Sequence, residues 1–126
     1  MEQKIISSPL APKALGTYSQ AVVANGTIYV SGQLPIDAST GEFAPGGVKE
    51  QLHQVFKNLG YILQEAGYSF KDVVKTTVYL ADIADFATLN EVYALYFSEP
   101  YPARVAFQVA ALPKNARVEI DVIAVK

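Results

Sequence analysis

Two stretches of the chain carry apolar residues at helical spacing, and most of the remainder alternates or clusters as strands do. Val48, Leu52, Val55, Phe56, Leu59, Ile62, Leu63 and Ala66 fall on one stripe. The stripe predicts a helix over Val48–Ala66, with Gly67 as its C-terminal stop. A second stripe, Phe86, Leu89, Val92, Tyr93 and Tyr96, predicts a helix over roughly Ile83–Phe97. Asp82 or Asp85 can cap it, and Pro100 and Pro102 end it.

Strand signals fill the gaps. Lys4–Ser7 reads as a short first strand, and Ser8–Gly16, rich in Pro, Ala and Gly, as an extended loop. Ala21–Ala24 and Thr27–Ser31 flank Asn25-Gly26, a dipeptide that tolerates positive φ at both turn positions and so predicts a hairpin. Leu34–Gly47 holds two Pro and three Gly and reads as a long loop. Val73–Leu80 is rich in β-branched residues, and two last strands are expected at Ala103–Val109 and Val118–Val125. The order is hairpin, helix, strand, helix, strand, strand. It predicts an α+β fold in one domain, residues 1–126, with a mixed sheet and both helices packed on one face. The other face is left uncovered, and an apolar uncovered face is commonly buried by symmetric oligomerisation.

Composition sharpens this picture. Apolar residues make up 51% of the 126-residue chain and charged residues only 17%. Either the sheet is covered on both faces or apolar surface is buried between subunits. No apolar run is long enough for a transmembrane helix, and the N-terminus lacks a signal-peptide core, so the expected compartment is the cytosol, with no membrane partner. The chain has no cysteine, which excludes disulfides and thiol catalysis and argues against a zinc site of the usual type. Net charge is −2 with no Lys/Arg cluster, so no nucleic-acid partner is expected.

Candidate chemistry centres on Arg104 in the run PARVAFQV. Alternation puts Arg104, Ala106 and Gln108 on one strand face and Ala103, Val105, Phe107 and Val109 on the other. A guanidinium beside small residues leaves room for a docked carboxylate, which its planar fork matches bidentately. Glu119 and Asp121 alternate in the last strand. Arg104 therefore reads either as a substrate cation or as half of a structural ion pair with Glu119 or Asp121. Ser31-Gly32-Gln33 is either a place where backbone approaches a ligand or an ordinary strand end. Taken alone, Tyr18 reads as an anchoring aromatic and Asn90 as a surface or helix-facing amide. His53, the only histidine, lies off the first stripe and is expected to be solvated. No Walker loop or dinucleotide fingerprint is present.

Taken together, APKALGTYSQAV, IYVSGQLPID, GGVKEQLHQVFKNLGYILQEAG, KTTVYLADIADFATLNEVY and PARVAFQVAALPKNARVEIDVIAV resemble the reactive intermediate deaminase family, in particular its RidA-type members. The resemblance runs in order along nearly the whole chain, and the combination of YSQA, SGQ, PAR and VEI is specific to it.

The resemblance implies a chorismate-mutase-like trimer whose sheets pack around a threefold axis, with sites between neighbouring subunits. The activity it implies is hydrolysis of 2-iminopropanoate and 2-iminobutanoate to 2-keto acids and ammonia. Such imines arise from enamines released by pyridoxal-phosphate dehydratases, and their hydrolysis requires no metal or cofactor. By position, Arg104 matches the arginine that clamps the substrate carboxylate, and Glu119 the carboxylate that positions or activates water. Tyr18, Ser31 and Asn90 match polar residues around the cleft. Ala106 stands where some members have cysteine, and its backbone is left as a substrate contact. Thr17 stands where many members have proline. Three other readings stay open: a relative acting on another imine or enamine acid, a ribonuclease or translation inhibitor, and a non-catalytic carboxylate-binding or chaperone-like trimer.

Overall fold

A six-stranded sheet in the order β1-β2-β3-β8-β6-β7 forms the body of the protein. The computed structural model describes residues 2–126. Its strands are β1 (Gln3–Ile6), β2 (Ala21–Ala24), β3 (Thr27–Gln33), β6 (Val73–Leu80), β7 (Ala103–Gln108) and β8 (Val118–Val125). A separate small hairpin joins β4 (Ile36–Asp37) to β5 (Glu42–Phe43), where an unbroken loop was expected. Asn58 explains that difference: its fully buried amide donates to the carbonyls of Leu34 and Ile36 at 3.1 and 2.9 Å and so pins the segment to the first helix.

The helices are α1 (Val48–Glu65) and α2 (Phe86–Tyr96). Leu52, Val55, Phe56, Leu59, Ile62 and Leu63 of the α1 stripe are buried. Gly67, at φ 82, closes the helix, and the Tyr68 N–H donates to the Leu63 carbonyl at 2.8 Å. The segment before α2 differs from expectation. Ile83–Asp85 forms a 3-10 turn, with Asp82 Oδ1 accepting from the Ala84 N–H, and the α-helix starts only at Phe86. Asp85 caps nothing with its side chain; its carboxylate takes a bidentate contact from Arg117 at 2.9 and 2.8 Å.

The turn at Asn25-Gly26 has φ of 51 and 77, as the hairpin reading requires. β6 and β7 pair in parallel, joined by α2. β3 and β6 are both antiparallel to β8, hence parallel to each other, and α1 crosses between them. Both helices lie on the same side. Val118, Ile120, Val122 and Ala124 of β8 are buried against them, while Glu119, Asp121 and Ile123 face the other way. On that second face Ile5, Tyr29, Val105 and Phe107 are exposed. Apolar side chains therefore do cover the helix-free face, and no described residue packs over them.

β3 carries one irregularity that shapes the site. Val30 pairs with Val122 and Gln33 with Ile120, so one extra residue is accommodated in β3. The strand continues through Gly32 to Gln33 rather than ending at Ser31.

Candidate functional site

Arg104 sits on β7, the edge strand, opposite Thr76 of β6. Thr76 is fully buried, so its register partner points toward the helical layer. There the guanidinium is held on three sides. Nη1 donates to Asn90 Oδ1 at 2.8 Å. The guanidinium carbon lies 4.9 Å from the centre of the Tyr93 ring and 5.3 Å from that of Phe86. The Tyr93 hydroxyl is in turn 3.0 Å from Thr76 Oγ1 in a buried contact. Burial raises the Tyr93 phenol above its usual range, partly offset by the Thr76 hydrogen bond and the Arg104 charge.

Phe86, Asn90 and Tyr93 follow from the helical repeat. Spacings of four and three residues put them on one side of α2, the side that meets β7. The guanidinium opens onto a recess of about 380 Å3 lined by Asn90, Tyr93, Ala94, Tyr101, Pro102 and Arg104. Among the described residues the ion pairs are Lys49–Glu91 and Arg117–Asp85. Arg104 pairs with neither Glu119 nor Asp121, so the structural ion pair is not formed within the chain. Ala106, two residues on, shares the helix-facing side and packs partly against the core.

Glu119 belongs to a different neighbourhood. It lies on the helix-free face of β8, half-buried, against Gly32 in the irregular part of β3. Gly32 thus makes room for the Glu119 side chain, and it lies inside β3 rather than at its end. Burial pushes the Glu119 carboxyl above its ordinary value, and the nearby Asp121 charge adds to the effect. Asp121 itself accepts a 2.8 Å hydrogen bond from Tyr79.

Ser31 precedes Gly32, and Tyr18 comes near it in space. Ser31 Oγ donates to the Ser19 carbonyl at 2.6 Å, and the Ser31 N–H donates to the Gln20 carbonyl at 2.9 Å. Both bonds tie the Tyr18-Ser19-Gln20 segment to β3. The buried Gln20 side chain completes the tie by donating to the Ser8 and Pro12 carbonyls and accepting from the Ser8 N–H. Tyr18 remains exposed and, with Gly32, Gln33, Lys13 and Lys114, lines a second recess of about 280 Å3.

One chain therefore gathers two groups rather than one site. Arg104, Asn90 and Ala106 stand on the helix side of the sheet edge, while Glu119 stands with Gly32 on the opposite face, next to the Ser31 strand. Sequence reasoning missed the roles of Phe86, Tyr93, Thr76 and Gln20. The α2 aromatics read as core stripe, although Asn90 between them at helical spacing was the available signal. His53 is not solvated as expected. It is half-buried, with Nδ1 2.8 Å from the Tyr96 hydroxyl, which ties α1 to α2. Among the described residues no group of three or more His, Cys, Asp or Glu side chains is placed to hold a metal. No helix among them is long and apolar enough to cross a membrane.

Comparison with known proteins agrees with the motif resemblance. The sequence profile of a family described as endoribonuclease L-PSP matches residues 8–126. A 2-iminobutanoate/2-iminopropanoate deaminase of Rattus norvegicus is 58% identical over 98% of this chain and 90% of its own length. The Homo sapiens protein of the same name is 53% identical over the same shares. The crystal structure of RidA from an Antarctic Psychrobacter is 52% identical, covers 98% of this chain and 99% of that one, and superposes with a TM-score of 0.94.

Proposed function

We infer the activity from one premise: the chain belongs to the endoribonuclease L-PSP family. Within that family it is a 2-iminobutanoate/2-iminopropanoate deaminase, as relatives more than half identical over nearly the whole chain are. It hydrolyses small 2-imino acids to 2-keto acids and ammonia, clearing reactive products of pyridoxal-phosphate dehydratases. The observation that carries the chemistry is the state of Arg104: a guanidinium engaged by Asn90 and two aromatic rings, with no carboxylate partner among the described residues, and open to a recess.

The reaction asks little of the protein. A protonated imine carbon is already electrophilic. Water adds to it, the C–N bond of the resulting carbinolamine breaks, and ammonia leaves with the keto acid behind. Arg104 orients the substrate carboxylate through its fork. Glu119 positions and activates the water, and Tyr18 relays protons between the departing nitrogen and solvent. Asn90 acts by steadying Arg104. Ser31 acts by holding the segment that bears Tyr18. Ala106 offers backbone groups on the open side of the edge strand.

Arg104 and Glu119 cannot meet within one subunit, and this supports a homotrimer with sites between neighbours. The exposed apolar residues of the helix-free face support the same assembly. The expected location is the cytosol. A ribonuclease reading draws on the family's description, but the net charge of −2 and the engagement of the only histidine with Tyr96 weigh against it.

The deciding experiment supplies threonine or serine to a dehydratase, with and without this protein, in the presence of an imine scavenger. Faster keto-acid release and less trapped imine are expected. An unchanged partition between hydrolysis and trapping, or degradation of RNA by the purified chain, would overturn the reading. Sedimentation equilibrium tests the trimer; a stable 13.6 kDa monomer would sink it.

A further inference from the structure

We propose that Gly32 is a positioning residue for the reaction, its missing side chain forming the slot that holds the Glu119 carboxylate in place. This rests on the role proposed above for Glu119, and its test is built to fail separately.

The slot arises from the strand irregularity. The extra residue in β3 lies between Val30 and Gln33, and it brings the Gly32 backbone over the Glu119 side chain of β8. A Cβ at Gly32 would overlap Oε2 of Glu119 and stand only 2.9 Å from Cδ and 3.2 Å from Cγ. The three nearest heavy atoms all belong to Glu119. Gly32 is not among the residues of left-handed φ, so its backbone would accept alanine without strain. What a Cβ here would displace is the Glu119 side chain, not the backbone of a turn. The carboxylate rests against bare backbone and loses part of its water, which agrees with its raised pKa. An alanine methyl group would force Glu119 into another rotamer while leaving the Arg104 pocket of its own chain, on the far face of the sheet, untouched.

The test is Gly32→Ala, read in four ways. Steady-state kinetics should show kcat lowered by about 100-fold, the usual cost of displacing a reacting group by an ångström, with 2-oxobutanoate binding unchanged. Gly32→Ala should add little to Glu119→Gln, because both remove the same function. Carboxyl-carbon NMR should show Glu119 titrating closer to an ordinary glutamate. In a Glu119→Ala background, Gly32→Ala should cost no stability, since the side chain it collides with is gone. If Gly32→Ala alone does not fold, folding of the Gly32→Ala/Glu119→Ala pair supports the slot, and failure of the pair overturns it. Wild-type kcat in Gly32→Ala, where Glu119→Gln has lost activity, would overturn the slot alone. Wild-type kcat in Glu119→Gln would instead remove the catalytic role on which the slot depends.

Discussion

Arg104 and Glu119 point away from each other through the same sheet. Arg104 registers with the buried Thr76, and Thr76 with the buried Val122, so all three belong to the helix-facing side. Glu119 lies between the buried Val118 and Ile120 and faces the other way. No side-chain rotation joins them in one subunit. If they serve one reaction, a neighbouring subunit must bring them together. Arg104→Ala and Glu119→Gln chains, each impaired alone, should then regain activity when unfolded and refolded together. Random mixing in a ring of three rebuilds about one site in four. Recovery near a quarter of wild-type activity is expected, and none at all would mean that the two residues do not share a site.

Arg104→Ala should lower kcat/KM by about ten- to a hundredfold, the worth of a charge-assisted bidentate contact. Arg104→Lys should recover only part of it, because an ammonium lacks the fork. Since Arg104 has no carboxylate partner among the described residues, and its hydrogen bond to Asn90 is exposed, the melting temperature of Arg104→Ala should stay close to that of the wild type. A large thermal loss would show that the residue stabilises the assembly through an ion pair to a neighbour.

Asn90 makes its one side-chain contact through Oδ1, to Arg104. Removing it frees one edge of a guanidinium that Tyr93 and Phe86 still flank. Asn90→Ala should therefore raise KM several-fold and leave kcat nearly unchanged, as expected for an interaction made equally in ground and transition states. Equal loss in kcat would place Asn90 against the reacting atoms instead.

The elements were legible wherever local pattern and tertiary demand coincide. The α1 stripe, the Asn25-Gly26 turn and the β8 alternation each specify one answer, and the fold follows it. Three of the misses share one cause, which is polar side chains used as internal fasteners. Asn58 turns a loop into a hairpin, Gln20 ties down the N-terminal segment, and His53 joins two helices through Tyr96. Periodicity counts apolar residues and is blind to these. The candidate residues were legible mainly as motifs. Their division between two faces was implicit in strand parity, since Arg104 and Glu119 occupy alternating positions of different strands. It needed the register through Thr76 and Val122 to become visible.

Tyr79 and Asp121 supply an alkaline marker on the helix-free face. The hydrogen bond to Asp121 is the first cause, followed by burial and the charges of Asp121 and Glu119, that push the Tyr79 phenol up from 10.0 to about 12. The stability gained from this group is whole below the unfolded value of 10.0 and fades as pH rises through about 12. Burial also raises Tyr93 and Tyr96, so ultraviolet titration should show a late-ionising group, and Tyr79→Phe should remove its last step. Near neutrality the substitution should cost little, at the low end of about 0.5–1.5 kcal/mol, because the pair is partly solvated. A titration unchanged by Tyr79→Phe would assign the late step elsewhere.

If Glu119 activates the water, it ties catalysis to stability, and the two should respond to pH in opposite senses. Its folded pKa is raised above the ordinary 4.5, first by burial and then by Asp121. The folded protein thus holds the proton more tightly than the unfolded chain, and ionising the group costs stability. That cost is absent below the unfolded value and in full force above the folded one. Glu119→Gln escapes it, so the variant should melt above the wild type near neutrality, with the gap closing as pH falls below 4.5. Water activation requires the opposite, the ionised form. Wild-type kcat should therefore decline as pH drops through a value above the usual carboxylate range. Glu119→Gln should lose about 10²–10⁴-fold in kcat at every pH while keeping 2-oxobutanoate affinity. Calorimetric scans near neutrality and near pH 4, set beside a kcat–pH profile, test both halves. A variant that melts below the wild type near neutrality would mean that a cation from a neighbouring subunit stabilises the carboxylate. Unchanged kcat with weakened product binding would make that pairing its whole purpose and leave Tyr18 and backbone groups to handle the water.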